Sequence, residues 1–269
     1  MGKNVDLSSS CAIVTGATGG IGSQFALELA KRGCDLILVD LNEQRLYETA
    51  KKIRERFDSY IYILPLDLTG ENPARELENF CNENRVDPDI LINNAGIFSF
   101  ATVTSTKPEK IDTFINLHMR AVTMLSRWFA KRRAKRGSGW ILNMSSMSCW
   151  MPMPGIALYA ATKAYIRVFS RALHYEMKDS GVGVTVACPG GIATDLFGLP
   201  QNLKELAVRI KVLDTPESFA RKAINRMLKK KRQYVNGWLN RLSIFFVGVT
   251  PTPVRMMVKH KMLDKGIER

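Results

Sequence analysis

Short apolar runs rich in β-branched residues alternate with longer amphipathic runs along this chain, and this alternation is the feature that most constrains its fold. The apolar runs predict six strands, over residues 11–15, 35–39, 60–65, 90–93, 139–144 and 183–188. Helical spacing predicts helices over 22–31, 42–56, 73–84, 108–136, 157–180 and 216–231. Strands that alternate with helices build a parallel sheet covered on both faces. We therefore expect an α/β fold, a doubly wound parallel sheet with helices on both faces.

The chain is long and apolar enough for one large core, with 269 residues of which 46% are hydrophobic. No interior stretch has the composition of a flexible linker, and no repeat period is visible. We expect one domain over residues 1–269, with residues 190–269 forming a C-terminal extension of the same domain.

A formal charge of +14, from 39 Lys and Arg against 25 Asp and Glu, favours an anionic partner. A phosphate cofactor, an acidic substrate, nucleic acid and a membrane surface all satisfy that charge. The sequence has no nucleic-acid motif and no interleaving of aromatic and basic residues, so we expect no nucleic acid. Five cysteines without ligand spacing predict reduced thiols and no metal. The apolar run 242–249 is too short for a transmembrane segment, and we expect a cytoplasmic protein.

Glycines cluster between the first predicted strand and the first predicted helix, in the sequence Thr-Gly-Ala-Thr-Gly-Gly-Ile-Gly over residues 15–22. This context is the one that a dinucleotide-binding turn requires. Gly16 permits a tight turn, Gly20 lets the backbone approach a pyrophosphate at the helix N-terminus, and Gly22 lets the helix pack closely on the sheet. The pattern predicts a Rossmann-like fold with a dinucleotide cofactor.

Asp40 ends the second predicted strand, where a carboxylate can accept hydrogen bonds from the adenosine ribose hydroxyls. A carboxylate at that point repels a ribose 2′-phosphate. The glycine turn contains no Lys or Arg, and Arg45 is the nearest base that could bind such a phosphate. We therefore favour NAD(H) over NADP(H), with NADP(H) left open.

Polar residues follow the fifth predicted strand and begin the next helix. Ser145 and Ser146 end the strand, and Tyr159 precedes Lys163 by four residues, which puts the phenol and the ammonium on one helical face. An ammonium beside a phenol favours the phenolate and lowers the phenol pKa. Such a tyrosine can exchange a proton with an alcohol or carbonyl oxygen that a serine hydroxyl holds.

On these residues the chain resembles the short-chain dehydrogenase/reductase family over nearly its whole length. The glycine turn matches the family's TGxxxGxG motif, and Asp67-Leu68 matches the pair of residues that binds the adenine. Residues 93–96 match the family's NNAG segment, and residues 189–194 match its PGxxxT element. The resemblance implies a catalytic set of Asn116, Ser146, Tyr159 and Lys163. It implies that the cofactor is bound by Gly16, Thr18, Gly20, Ile21, Gly22, Asp40, Asp67, Leu68, Asn94, Ala95, Gly96, Tyr159, Lys163, Pro189, Gly190, Ile192 and Thr194.

The resemblance also implies a mechanism in which Tyr159 is general acid in reduction and general base in oxidation of a secondary alcohol and its ketone. Ser146 then holds the substrate oxygen, Lys163 lowers the pKa of the tyrosine and binds the nicotinamide ribose, and Asn116 holds a water that links Lys163 to solvent. The alternative is a redox sensor that binds the dinucleotide without turnover. The intact catalytic set argues against a sensor.

Bulky apolar residues flank the predicted site and favour a small lipophilic molecule as substrate. The chain looks most like the branch of 17β-hydroxysteroid dehydrogenases and 3-ketoacyl reductases, which implies a hydroxysteroid, a bile acid or an acyl carbonyl. These flanking residues are Phe98, Phe100, Met147, Cys149, Trp150, Met151, Met153, Ile156, Phe197 and Leu199.

The end of the chain departs from the glycine-rich strand with which many family members build a tetramer. It contains the basic run 229–232 and the apolar run 242–249 instead. We expect a homodimer, with a tetramer left open, and we expect residues 242–249 to cover the substrate side or a neighbouring subunit. The basic run is interpreted as a solvated helix end, with weak attraction to an anionic membrane surface as the alternative.

Overall fold

The sheet consists of seven parallel strands in a computed structural model that describes residues 6–192 and 214–264. The strands run in the spatial order β3-β2-β1-β4-β5-β6-β7, so the direction of winding reverses between β1 and β4. This doubly wound order confirms the expected fold class. The strand bounds are Cys11–Thr15 (β1), Asp35–Asp40 (β2), Ile61–Pro65 (β3), Ile90–Asn93 (β4), Gly139–Met144 (β5), Val182–Ala187 (β6) and Gln233–Tyr234 (β7).

Nine α-helices connect or follow these strands in the part of the chain just defined. Six begin within two residues of the predicted starts, and four of these, α2, α3, α4 and α7, are marked by Pro at the first helical turn or by a capping side chain. Their bounds are Gly22–Ala30 (α1), Glu43–Arg54 (α2), Pro73–Glu83 (α3), Pro108–Ile115 (α4), Val122–Ala134 (α5), Ala157–Glu176 (α6), Pro216–Leu228 (α7), Trp238–Val247 (α8) and Thr252–Val258 (α9).

Alternate residues of each central strand enter two different cores, as the two-residue period of a strand requires. Ala12 and Val14 of β1 pack with α1, α2 and α7 on one face of the sheet. Cys11 and Ile13 pack with α3, α5 and α6 on the other. Burial on both faces explains why these strands have no polar alternation in the sequence. All five cysteines are unpaired, as expected, and only Cys149 is not fully buried.

The structure differs from the sequence prediction at three places. The predicted helix over 108–136 is interrupted by a π-helical segment, Asn116–Ala121, which separates α4 from α5. Strand β7 has only two residues, too few to give a pattern in the sequence. The apolar C-terminal run forms α8, and Pro251 separates it from α9, whose first turn contains Pro253.

A buried polar network joins the centre of the sheet to two helices. The side-chain amide of Asn93 donates to Asn143 Oδ1 at 2.8 Å and to Ser126 Oγ at 3.1 Å, linking β4 to β5 and α5. The amide of Asn143 donates to Ser170 Oγ at 2.9 Å on α6. Since unpaired buried amides are costly, this network fixes α6 relative to the ends of β4 and β5. The residues that follow those strand ends carry the candidate site.

None of the helices within residues 6–192 and 214–264 combines the length and the apolar character needed to cross a membrane.

The packing of α7 on the sheet gives a test of the core. The Phe219 ring is fully buried and contacts the rings of Phe25, at 6.3 Å between centroids, and Tyr234, at 5.4 Å. We expect Phe219→Ala to lower the free energy of unfolding by about 3–5 kcal/mol, because it removes a buried ring and leaves a cavity. Urea denaturation measures this change. Exposed Tyr47→Ala is the control and should change the free energy by less than about 1 kcal/mol.

Candidate active site

The glycine turn is shaped by the backbone approach of β4. Gly16 has φ +63°, and a Cβ there would lie 2.8 Å from the Cα of Ala95. A Cβ on Gly22 would collide with the carbonyl oxygen of Gly16. The side-chain amide of Asn94 donates to the carbonyl oxygens of Thr15, at 3.0 Å, and Gly16, at 3.1 Å. These contacts explain the glycines at 16 and 22 and assign Asn94 a direct role in holding the turn.

Asp40 lies against the same turn. Its Oδ2 accepts from the Thr18 backbone N–H at 2.9 Å and from Thr18 Oγ1 at 2.7 Å, while Oδ1 accepts from the Leu41 N–H at 2.8 Å. The guanidinium of Arg45 donates to the carbonyl oxygen of Thr18 at 3.1 Å. A carboxylate and a guanidinium therefore meet at Thr18, so the two predicted determinants of cofactor preference lie side by side.

The other predicted cofactor residues lie along the carboxyl edge of the sheet. Gly20 is exposed, and Ile21 is the N-cap residue that immediately precedes α1. Asp67 is exposed and accepts from the N–H and hydroxyl of Thr69, while Leu68 is buried in the core. Ala95 and Gly96 continue from Asn94, and a Cβ on Gly96 would lie 3.3 Å from Lys163 Nζ.

The element after β6 is described only in part. The Pro189 carbonyl oxygen accepts from the Met147 N–H at 2.8 Å, which ties this element to the serine loop. The Gly190 N–H donates to Asn236 Oδ1 at 2.7 Å. Ile192 is buried and forms an isolated parallel bridge with Asp214. The predicted contact Thr194, together with Phe197 and Leu199, lies outside the described residues.

Tyr159 and Ser146 meet at the start of α6. The Ser146 hydroxyl is near enough to the phenol to lower its pKa through hydrogen bonding, and the Tyr159 ring packs edge to face on Phe98 with centroids 5.1 Å apart. Ser145 faces elsewhere, because its hydroxyl donates to the carbonyl oxygen of Lys163 at 2.7 Å. Of the two adjacent serines, only Ser146 is thus placed beside the phenol.

Burial, rather than Lys163, dominates the acidity of Tyr159. Desolvation raises the pKa of Tyr159 above its ordinary value, and the hydrogen bond with Ser146 opposes that shift. The sequence predicted that the Lys163 ammonium would lower the pKa of Tyr159, and the structure does not show this lowering. Lys163 Nζ lies 5.7 Å from the centroid of the phenol ring and donates to the carbonyl oxygen of Met144 at 3.0 Å. The ammonium is therefore directed toward the backbone at the end of β5.

Lys163 is itself buried, and desolvation lowers its pKa to about 8. A pKa of about 8 leaves the side chain mainly protonated at neutral pH. Asn116, the fourth member of the predicted catalytic set, is half-buried at the first position of the π segment. An extra residue in a helical turn widens the backbone locally, and such turns occur often at functional sites.

His118 is a site neighbour that sequence reasoning missed. Its Nε2 accepts from the Ile97 N–H at 3.1 Å, so Nδ1 carries the proton and donates to Thr162 Oγ1 at 2.9 Å. The Thr162 hydroxyl donates onward to the carbonyl oxygen of Tyr159. The imidazole thus links the NNAG segment to α6. A lone histidine in a helix carries no signal in the sequence, and only the π segment turns it inward.

Asn236 was missed for a similar reason. Its Oδ1 holds the Gly190 N–H, although the two residues are 46 positions apart in the chain. No local pattern could predict this contact.

Within the described residues, no cluster of three or more His, Cys, Asp or Glu side chains is arranged to hold a metal ion.

The burial of His118 predicts a pH dependence of stability. Desolvation, with a smaller contribution from the Lys163 charge, lowers the pKa of His118 to about 2. The unfolded chain takes up this proton below about pH 6.5, whereas the folded chain does not. The stabilisation from neutral His118 is therefore complete above about pH 6.5 and falls by about 1.4 kcal/mol per pH unit below it.

We expect His118→Gln to reduce the loss of unfolding free energy between about pH 6.5 and about pH 5 by roughly 2 kcal/mol relative to the unmodified chain. Urea denaturation at each pH measures the slope. His260→Gln is the control, because the His260 side chain is exposed in the folded state. An unchanged slope in His118→Gln would contradict the neutral, buried imidazole.

Comparison with known proteins agrees with this geometry. A family model described as short chain dehydrogenase matches residues 10–202. The human protein named inactive hydroxysteroid dehydrogenase-like protein 1 is 31% identical over 89% of this chain and 72% of its own length. The very-long-chain 3-oxoacyl-CoA reductase of Rattus norvegicus is 30% identical over 79% of this chain and 67% of its own.

A solved structure has the same fold over most of its length. The short-chain dehydrogenase from Sphingobium yanoikuyae, in complex with NADPH, has a TM-score of 0.76 and 25% identity, covering 94% of this chain and 96% of the other. The sheet order, the glycine turn held by Asn94, the Ser146–Tyr159 pair and the family match lead to one assignment. This chain belongs to the short-chain dehydrogenase/reductase family of oxidoreductases.

Proposed function

We propose that the protein is an NAD(P)-dependent oxidoreductase that interconverts a secondary alcohol and a ketone. The observation that carries this proposal is the buried Tyr159 phenol, with the Ser146 hydroxyl beside it and Lys163 one helical turn away. A phenol and a hydroxyl placed side by side can hold a carbonyl oxygen and deliver a proton to it. The neighbouring ammonium favours negative charge that develops on that oxygen.

The glycine turn supports a dinucleotide cofactor. Positions 16 and 22 have no room for a Cβ, and the turn opens the N-terminus of α1, where free N–H groups favour phosphate. The residues that would hold the cofactor are those given above from Gly16 to Thr194, with Asp40 at the adenosine ribose. When bound, the cofactor supplies or accepts the hydride at the substrate carbon.

The protonation states of the site favour ketone reduction at neutral pH. Burial raises the pKa of Tyr159, which keeps the phenol protonated and ready to donate. Ser146 would hold the substrate oxygen. Lys163, with a pKa of about 8, is an ammonium under the same conditions and would bind the nicotinamide ribose. Asn116 would hold the water that links Lys163 to solvent.

A lipophilic substrate is supported by the surroundings of Tyr159. Phe98 packs on the phenol ring, and Phe100 contacts the neighbouring loop at Gly155. A small cavity beside the phenol is lined by Phe114, Ile156 and Leu158 together with the polar Ser99 and Thr106. The rat relative's name specifies a very-long-chain acyl substrate. We propose the same broad class here, a hydroxysteroid, a bile acid or an acyl carbonyl.

The proton-transfer role of Tyr159 predicts the effect of removing one oxygen. We expect Tyr159→Phe to lower kcat for ketone reduction by at least about 10²-fold, because the transferable proton is lost while the ring remains. Cofactor affinity should change little. Lys163→Met should impair both turnover and cofactor binding. Nicotinamide absorbance measures turnover, and fluorescence titration measures cofactor affinity.

Tyr165→Phe is the matched control for this experiment. Tyr165 is on the same helix and also loses a hydroxyl hydrogen bond, to Thr123 at 2.7 Å, but lies outside the proposed site. It should keep kcat within about twofold. Near-normal turnover by Tyr159→Phe would show that the phenol is not the proton donor.

We propose NAD(H) as the preferred cofactor because Asp40 faces the adenosine end of the turn. A carboxylate has room for about four hydrogen bonds, and Asp40 already accepts three, which leaves capacity for a ribose hydroxyl. A 2′-phosphate at the same point would meet a like charge. Arg45 on the other side of Thr18 favours NADP(H), as does the NADPH bound by the Sphingobium yanoikuyae relative.

Changing Asp40 to Ser should shift the ratio of kcat/KM for NADPH over NADH upward by at least about tenfold, since the like-charge repulsion is removed. Steady-state kinetics with both cofactors measure the ratio. Arg45→Ala is the matched variant and should leave KM for NADH within about twofold. If unmodified protein used NADPH as well as NADH and Arg45→Ala lost that use, Arg45 would be the phosphate-binding residue.

A second candidate function is binding of the dinucleotide without turnover. It is favoured by the human relative whose name includes the word inactive, at 31% identity. The Ser146 hydroxyl beside the Tyr159 phenol argues for turnover, because a sensor needs no proton donor. Absence of turnover with steroid, bile-acid and acyl ketones, despite tight cofactor binding, would support the sensor.

The remaining features of the proposal concern assembly and location. We propose one domain over residues 1–269, in which residues 190–269 complete the substrate side. Helix α8 supports this arrangement, since Ser243 Oγ lies 3.7 Å from Met147 Sδ in the loop that follows Ser146. We also propose a cytoplasmic homodimer.

A further inference from the structure

Helix α8 turns its apolar side chains to solvent. Trp238, Phe245 and Phe246 are 71%, 76% and 66% exposed. More than half of the large apolar side chains that are exposed in the described residues lie between positions 238 and 257. We call the following group the C-terminal apolar face: Trp238, Leu239, Leu242, Phe245, Phe246 and Val249.

The inward side of the same helix is largely polar. The Asn240 amide donates to the carbonyl oxygen of Asn236 at 2.9 Å, and the Ser243 hydroxyl contacts Met147 Sδ. Ile244 of α8 packs against the core. This distribution is the reverse of what water requires of a surface helix. The outward face of α8 therefore suits an apolar medium better than water.

Helix α9 extends this surface beyond the bend at Pro251. Val254, Met256 and Met257 are each at least 40% exposed. Methionine side chains are flexible and adapt to irregular apolar surroundings. Neither α8, with ten residues, nor α9, with seven, is long enough to span a bilayer. Helices of this length and distribution lie in the plane of a membrane interface.

The charge of this stretch of the chain has one sign. No Asp or Glu occurs between Glu217 and Asp264, a stretch that contains Arg241, Arg255, Lys259 and Lys261. Arg241 and Lys261 are exposed. A second copy of the chain meeting this face about a two-fold axis would bring these cations together. An anionic surface has the opposite, complementary charge.

We propose that the C-terminal apolar face, together with Arg241 of α8 and the lysines that follow α9, docks on an anionic phospholipid surface. The aromatic side chains of α8 enter the interfacial region, and the cations contact the lipid phosphates. Because α8 packs on the loop after Ser146, docking turns the substrate side toward the lipid, from which a lipophilic ketone can enter. That last consequence rests on the proposed function, whereas lipid binding does not.

Vesicle flotation of the full chain tests the proposal. Two vesicle types are compared, one of phosphatidylcholine alone and one that also contains phosphatidylserine. We expect binding to the phosphatidylserine vesicles only, and weaker binding as salt is added. Phe245→Ser combined with Phe246→Ser should lower the partition coefficient by about tenfold or more, because two exposed rings no longer enter the lipid. Lys259→Gln combined with Lys261→Gln should also lower the partition coefficient, because two cations that follow α9 are removed.

Tyr47→Ser is the matched control, since it removes an exposed aromatic ring from α2 and should leave the partition coefficient unchanged. Circular dichroism and cofactor binding check that each variant is folded. No binding to either vesicle, equal binding to both, or unchanged binding of the double Phe variant would each overturn the proposal. The proposal would also be overturned if the protein were a dimer in the absence of lipid and the double Phe variant were a monomer. The C-terminal apolar face would then be the interface between two copies of the chain. Turnover of a small water-soluble ketone is measured separately and should be equal in all these variants.

Discussion

The position of β4 between β1 and β5 is the constraint on which the rest of the structure depends. All three strands are parallel, so their carboxyl ends reach the same edge, where the order of winding reverses. Asn93, the last residue of β4, is bonded to Asn143 of β5, and Asn94 is bonded to the turn after β1. Two consecutive amides thus connect the glycine turn to β5 and α5 through direct hydrogen bonds, and Asn143 extends the network to Ser170 of α6.

Burial determines the electrostatics of the site more strongly than the neighbouring charges do. Tyr159, Lys163 and His118 lie close together, and desolvation is the largest cause of the pKa shift of each. Each shift favours the neutral form, but the pKa of Lys163 remains high enough for an ammonium at neutral pH. The result is a protonated phenol, one cation and a neutral imidazole. The phenol can therefore donate a proton, and Lys163 is the one positive charge among these three side chains.

The C-terminal helices contrast with this site, since their exposed face is apolar while the core they border is already filled. Tyr234 and Val235 are buried immediately before α8, whereas the outward residues of α8 have no counterpart within the described chain. A basic run precedes these helices, and further bases follow α8. The sheet and the site can therefore be complete while this face still requires a different environment.

The sequence by itself determined the fold class, most strand and helix bounds, and the residues placed at the carboxyl edge. These are local properties, because period, glycine requirement and helix starts depend on a few neighbouring residues. The four-residue spacing of Tyr159 and Lys163 also fixed their shared helical face. Only the tertiary structure decided the direction of the pKa shift of Tyr159, since burial depends on residues distant in the chain. For the same reason it alone decided the contacts of His118 and Asn236, the two-residue strand β7, the break in the long helix at Asn116 and the outward direction of the rings on α8.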